Sequence, residues 1–280
     1  MKPGAFEYRK ASNVKDVVTW LQSNKDSKIL AGGQSLVPVM NFRLAHPSLL
    51  VDINEIASLH QITFDRDGVH VGALVRHQEM AESAEVRDRL PLLAVAARHI
   101  GHWAVRNRGT LGGSLAHADP ASEWPAVMVA LGAELQIEGA NGSRGIAAKD
   151  FYLGYYTTEL APEEIITGVK VAMPAHRLGF AEVARRPGDF ALAGAVVEDS
   201  GDGQGAVTWF GVAGKPERIV LSLPATASDR ARSFEAALTE LDQLDADRHR
   251  QHLALTVAER AFQHSRLTGH EYWSFEGGHV

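Results

Sequence analysis

Lys28-Ile29-Leu30-Ala31-Gly32-Gly33-Gln34-Ser35-Leu36 sets a short apolar strand directly before a glycine pair, and a helix-forming run from Gln34 directly after it. A diphosphate needs a turn of this kind. Glycines let the backbone approach closely, the first N–H groups of a helix have no partner inside it, and the helix end carries roughly half a positive charge. The turn has neither the lysine of a GxxxxGK[ST] phosphate loop nor the GxGxxG spacing of a Rossmann turn. Taken alone, Gly-Gly after a strand is also an ordinary tight turn.

A second stretch bears on that choice. Arg106-Asn107-Arg108-Gly109-Thr110-Leu111-Gly112-Gly113-Ser114-Leu115-Ala116-His117-Ala118-Asp119-Pro120 reads as a turn dense in glycine, hydroxyl and amide groups. It leads into a helix expected from Ser122 to Leu131. Two donor-rich glycine turns far apart in sequence suit a long ligand with a diphosphate in its middle. FAD fits that description better than a mononucleotide does.

Working outward, Val14, Val17, Val18 and Leu21 recur at helical spacing and predict a helix over 13–24. Leu49-Leu50-Val51-Asp52 gives a second strand. With the helix expected over 34–44, it completes a small parallel strand–helix–strand unit. Residues 57–175 mix short strands (69–72, 134–138, 165–171) with helices over 91–100 and 122–131. Beyond a boundary at 173–178 the pattern changes to strands at 180–184, 192–197 and 206–210. Helices over 228–241 and 248–267 follow. Strands followed by helices predict a separate α+β domain with helices on one face.

The composition narrows the chemistry. The 280 residues include no cysteine, so disulfides, iron–sulfur ligation, cysteine–zinc sites and thiol nucleophiles are all excluded from this chain. A net charge of −6 argues against a nucleic-acid surface. No run approaches the roughly 20 apolar residues of a membrane span. The first residues, Met1-Lys2-Pro3-Gly4-Ala5-Phe6, lack the apolar core of a signal peptide, so the expected setting is the cytoplasm.

Single residues offer competing readings. His99 and His102 stand three apart, as a metal pair can, but no further ligand follows at helical spacing, and no metal site is assigned. Asp119 and Glu123 could be paired hydrolytic carboxylates; Asp119 before Pro120 reads better as a helix-start residue. No general base or nucleophile is nominated.

Over essentially the whole chain the sequence resembles the medium subunit of the molybdenum hydroxylases. This family includes aerobic carbon monoxide dehydrogenase, nicotine and caffeine dehydrogenases and the flavin portion of xanthine dehydrogenase. The two glycine stretches look like its two FAD signatures, and Phe151-Tyr152-Leu153-Gly154-Tyr155-Tyr156-Thr157-Thr158 and Arg185-Arg186-Pro187-Gly188-Asp189-Phe190-Ala191 extend the likeness. The resemblance implies an α+β fold: a PCMH-type FAD-binding domain of two α/β subdomains over 1–175, then a smaller α+β domain over 176–280. It implies that Lys28, Ile29, Leu30, Ala31, Gly32, Gly33, Gln34, Ser35 and Leu36 wrap the FAD diphosphate from one side. Gly109, Thr110, Gly112, Gly113 and Ser114 would hold it from the other. Ile100 and Gly101 would lie beside the adenine, and Glu123, where many relatives have aspartate, would reach a ribityl or ribose group. Phe190 would stand near the flavin ring, and His117 would shape the second loop.

The same resemblance implies a division of labour. A large molybdopterin subunit hydroxylates the substrate, [2Fe-2S] clusters of a small subunit carry the electrons, and FAD on this chain passes them to an external acceptor. The assembly implied is a dimer of heterotrimers. The alternative is a free-standing PCMH-type FAD oxidoreductase acting directly on its own substrate.

Overall fold

The computed structural model describes residues 2–274. Strand β1 (Glu7–Lys10), helix α1 (Val14–Ser23), strand β2 (Ser27–Leu30), helix α2 (Leu36–Asn41) and strand β3 (Leu49–Asp52) make the first layer. β1 and β2 both run parallel to β3, in the order β1-β3-β2. As the central strand, β3 is buried along Leu49-Leu50-Val51, which is why it reads as a continuous apolar run. α1 begins where the Asn13 side chain accepts the Asp16 N–H at 2.9 Å, and it buries Val17, Val18 and Leu21. The expected strand–helix–strand unit is present, but its helix spans 36–41 rather than 34–44. Gly33 sits at φ 72° and Arg43 at φ 58°, and these left-handed residues bracket the short helix. β1 is a mostly exposed, polar edge strand, so no apolar pattern marked it.

The second layer is a five-stranded sheet with antiparallel pairing throughout. It starts with a 3-10 turn (Ala57–His60), β4 (Ile62–Phe64) and β5 (Gly68–Gly72). Six helices then intervene: α3 (His77–Glu82), α4 (Ala84–Arg89), α5 (Pro91–His99), α6 (Trp103–Arg106), α7 (Leu111–His117) and α8 (Glu123–Ala130). β6 (Glu134–Gly139), β7 (Gly142–Ala147), α9 (Ala148–Phe151), the hairpin β8 (Tyr152–Gly154) and β9 (Thr157–Thr158), and β10 (Ile165–Ala172) complete it. The order β4-β5-β10-β6-β7 puts β10 in the centre. Reading 106–120 as a turn is corrected here, because 111–117 is helical. Two glycines cost about 1 kcal/mol each against alanine. The buried pair Leu111 and Leu115, one turn apart, and the Thr110 cap outweigh that cost.

β11 (Arg177–Ala184), β12 (Ala191–Asp199), β13 (Gln204–Phe210) and β14 (Arg218–Ser222) form an antiparallel meander in sequence order. α10 (Ala227–Thr239) and α11 (Arg248–Ser265) cover one face, and α12 (Gly269–Ser274) ends the described chain. Strand alternation divides the side chains. Ala181, Ala193, Ala195, Val207 and Trp209 face α10 and α11, while Phe180, Val196 and Phe210 face the other way. α11 lies so close to β11 that a Cβ on Gly179 would meet the Ala261 carbonyl oxygen at 1.9 Å. The expectation of helices on one face needs an addition: α5 and α8 of the preceding layer pack against the second face. Phe180 stacks on Phe210 at 5.7 Å in the same core as Trp124 of α8. All eight residues of α8 are buried, because it is sandwiched between layers.

Candidate functional site

The first glycine turn leaves β2 at Ala31 and enters α2 through Ser35. Gly33 takes the left-handed conformation, and Gln34 folds back to donate its side-chain amide to the Gly32 carbonyl at 3.1 Å. None of the backbone N–H groups of Gly32, Gly33, Gln34, Ser35 and Leu36 donates to another group among the described residues. Gly32 is buried, Gly33, Ser35 and Leu36 are half-buried and Gln34 is exposed, so this consecutive row of free donors is open to a ligand and suits an anion.

The second stretch is built differently. Its helix start is already satisfied: Leu111 N–H donates to Val75, Gly112 N–H to Ala73, Ser114 N–H to Thr110, and Gly113 N–H to the Thr110 hydroxyl. Its glycines provide closeness. A Cβ on Gly112 would lie 2.6 Å from the Ala73 Cβ, and one on Gly32 would lie 2.3 Å from the Arg108 carbonyl oxygen. The two turns therefore touch. A side-chain bridge fixes them: Asn54 Nδ2 donates to the Ala31 carbonyl at 2.9 Å, and Arg76 donates to Asn54 Oδ1 at 2.6 Å and to the Arg108 carbonyl. Neither Asn54 nor Arg76 belongs to a sequence motif, and their role appears only once β3 and α3 are placed.

One cavity of about 730 Å³ runs past both turns. Of the residues the sequence assigned, Lys28, Ile29, Ala31, Gly32, Gly33, Gln34, Ser35 and Leu36 line it from the first side. Gly109, Thr110, Gly112, Gly113, Ser114 and His117 line it from the second, and Ile100, Gly101, Glu123 and Phe190 line the remainder. Leu30 does not reach it. The loop at Ile100–Gly101 is pinned by Arg106, whose guanidinium donates to the Gly101 carbonyl at 2.8 Å and to Gln78 at 2.9 Å. Phe190 stands 60% exposed at the rim. His117 packs on the Tyr156 ring at 5.3 Å, and the Ser114 and Ser122 hydroxyls are 2.9 Å apart. Asp119 accepts the Ala121 N–H at 2.9 Å and the Tyr156 hydroxyl at 3.1 Å, so it shapes the turn before α8, as a helix-start residue would.

Glu123 is the fully enclosed acid of the cavity. Burial pushes its carboxyl well above the ordinary carboxylate range, and the nearby Glu182 and Asp119 push it further. Glu182, on β11, places Oε1 3.2 Å from His99 Nδ1 and leaves Oε2 buried without a donor. His99 is thus tied to a carboxylate across the layer boundary. Sequence reasoning missed Glu182, because only the docking of β11 on α5 brings it there.

A raised carboxyl holds its proton in the fold and loses it in the unfolded chain. The stability Glu123 contributes is fully present below its ordinary pKa of 4.5 and is lost as pH rises through the raised value. As pH rises from about 5 toward the raised value, Glu123→Gln is expected to lose less stability than the parent, the slopes differing by up to about 1.4 kcal/mol per pH unit. Urea unfolding measures this; parallel pH curves for the two proteins would contradict it.

Residues 4–174 match the family model described as the FAD binding domain in molybdopterin dehydrogenase. The chain is 41% identical over 223 residues to the nicotine 6-hydroxylase medium subunit of Paenarthrobacter nicotinovorans, covering 78% of this chain and 79% of that protein. It is 37% identical over 278 residues to subunit alpha of the 6-hydroxypseudooxynicotine dehydrogenase complex of the same organism, covering 93% and 94%. Among solved structures, quinoline 2-oxidoreductase from Pseudomonas putida 86 superposes with a TM-score of 0.89 at 35% identity, over 95% of this chain and 98% of that one. The chain belongs to the family of α+β FAD-binding medium subunits of the molybdopterin dehydrogenases.

Proposed function

We propose that this chain is the FAD-carrying electron-transfer subunit of a heteromeric molybdenum hydroxylase in the cytoplasm. The observation that carries the reading is the row of free N–H groups at Gly32–Leu36 on the cavity that the second glycine stretch also lines. A dinucleotide fits this arrangement because the cradle takes a diphosphate while the cavity extends beyond it. When bound, FAD supplies the redox chemistry, accepting electrons and releasing them to an external acceptor.

The protein's own part is binding and orientation. Backbone donors of the first turn hold the diphosphate. Gly113 and Ser114 close over it, Ile100 and Gly101 border the adenine, and Phe190 borders the flavin. Glu123, holding its proton, presents a hydroxyl donor as well as an acceptor to the ribityl or ribose oxygens. The division that best suits this reading is an FAD-binding domain over 1–175 and a C-terminal domain over 176–280. Because this chain has no cysteine, the [2Fe-2S] clusters must lie on another chain. A small cluster subunit and a large molybdopterin subunit complete the proposal, assembled as a dimer of heterotrimers.

Purifying the tagged full chain from its own host tests this. Both partner subunits are expected to accompany it, and substrate added to the complex is expected to bleach the flavin absorbance. A chain that emerges alone, with flavin that small substrates reduce directly, would establish the free-standing oxidoreductase instead.

A further inference from the structure

His77, the first residue of α3, stands outside both glycine stretches and is 5% exposed. Its ring lines the cavity. On one side Nδ1 lies 3.0 Å from the indole Nε1 of Trp124. An indole N–H only donates, so Nδ1 must be the accepting, unprotonated nitrogen, and the proton of the neutral ring then sits on Nε2. Burial beside Arg76 and Arg106 lowers the imidazole from its ordinary 6.5 to about 3, which agrees with an uncharged ring.

Nε2–H has no partner among the described residues. Its surroundings show where it points. A Cβ built on Gly109 would lie 2.6 Å from His77 Nε2, and a Cβ on Gly32 would lie 2.8 Å from the Gly109 Cα. The backbone joins in, since His77 N–H donates to the Gly109 carbonyl at 3.1 Å. The ring edge therefore abuts the junction of the two glycine turns, next to the N–H cradle. Nε2–H is not sealed among protein atoms but opens on the cavity, so a ligand oxygen at this junction would take the place of water as its acceptor.

We propose that His77 is an FAD-binding residue that donates its Nε2–H to a diphosphate oxygen where Gly32 meets Gly109. The inference rests on the FAD reading above and adds to it a specific donor from outside the glycine stretches. Trp124 is then a positioning residue, because its indole fixes which nitrogen of the ring carries the proton. An imidazolium would attract a diphosphate more strongly, but burial keeps the ring neutral. The donor consequently keeps the same charge across the physiological pH range.

The test compares three full-length proteins by FAD titration, with thermal unfolding of each to check the fold. His77→Gln keeps an N–H donor at the reach of Nε2, and His77→Phe does not. His77→Phe is expected to bind FAD roughly 10- to 100-fold more weakly than His77→Gln. Equal dissociation constants for the two would overturn the proposal while leaving the FAD reading intact. A parent chain that binds no FAD would overturn that reading itself. Nitrogen NMR of 15N-histidine-labelled parent protein gives a readout that needs no variant. It should show His77 protonated only at Nε2 from about pH 8 to about pH 5.5, with that resonance moving when FAD is added. An imidazolium signal, or an Nε2 resonance unmoved by FAD, would overturn the assignment.

Discussion

Gly113→Asp is expected to yield a folded chain that retains no FAD. A Cβ at this position would meet the Thr110 hydroxyl at 2.8 Å and the Ala31 Cβ at 3.8 Å, so the new side chain points across at the first glycine turn. The Thr110 hydroxyl can rotate aside, at the cost of a helix cap worth about 1 kcal/mol. The ligand has no such escape. A carboxylate about 5 Å from a diphosphate charge, at an effective dielectric of about 20, is repelled by about 3 kcal/mol. That alone weakens binding more than about 100-fold, before the lost space is counted. Flavin absorbance per chain after gel filtration is the measurement. Gln263→Ala, on the distant exposed face of α11, is expected to leave flavin content unchanged. A Gly113→Asp protein with a full complement of flavin would show that the two stretches do not enclose the diphosphate.

Trp124→Ala should cause the largest loss of stability. The indole is fully buried in α8, between the helical layer and the C-terminal sheet, and its N–H fills the acceptor of His77. Truncating a buried tryptophan costs about 3–5 kcal/mol through lost burial and the cavity left behind. For a chain of this length the melting temperature should fall on the order of 10 °C. Because α8 also carries Glu123, flavin retention should fall in parallel. A melting temperature within about 2 °C of the parent would mean that α8 is not the element joining the layers.

Parts of this molecule were legible in the sequence because they follow a local rule. β3 reads as a strand since its continuous burial demands Leu49-Leu50-Val51, and α1 reads as a helix since one face carries Val17, Val18 and Leu21. The glycine stretches were legible as turns of close approach, because a Cβ at Gly32 or Gly112 would collide with neighbouring protein atoms. Their internal division of work was not. Both stretches look alike as sequence, yet the free donors belong to the first, whereas the second spends its donors on the Ala73 and Val75 carbonyls beyond β5 and on its own cap. That difference depends on which backbone carbonyls lie opposite, a tertiary fact. Asn54, Arg76, His77 and Glu182 were missed for the same reason: they reach the site from the end of β3, the start of α3 and β11, at no fixed spacing from either motif. Helix α7 was hidden by Gly112 and Gly113, whose low helix propensity is overridden by the burial of Leu111 and Leu115.

The central claim is that one cavity, floored by the Gly32–Leu36 donors, takes FAD. Titrating the flavin-stripped full chain with FAD, and separately with FMN, tests it most directly. The account predicts saturable binding of one FAD per chain, with FMN bound far more weakly because it lacks the diphosphate and the adenine. No saturable FAD binding, or FMN bound as tightly as FAD, would contradict it.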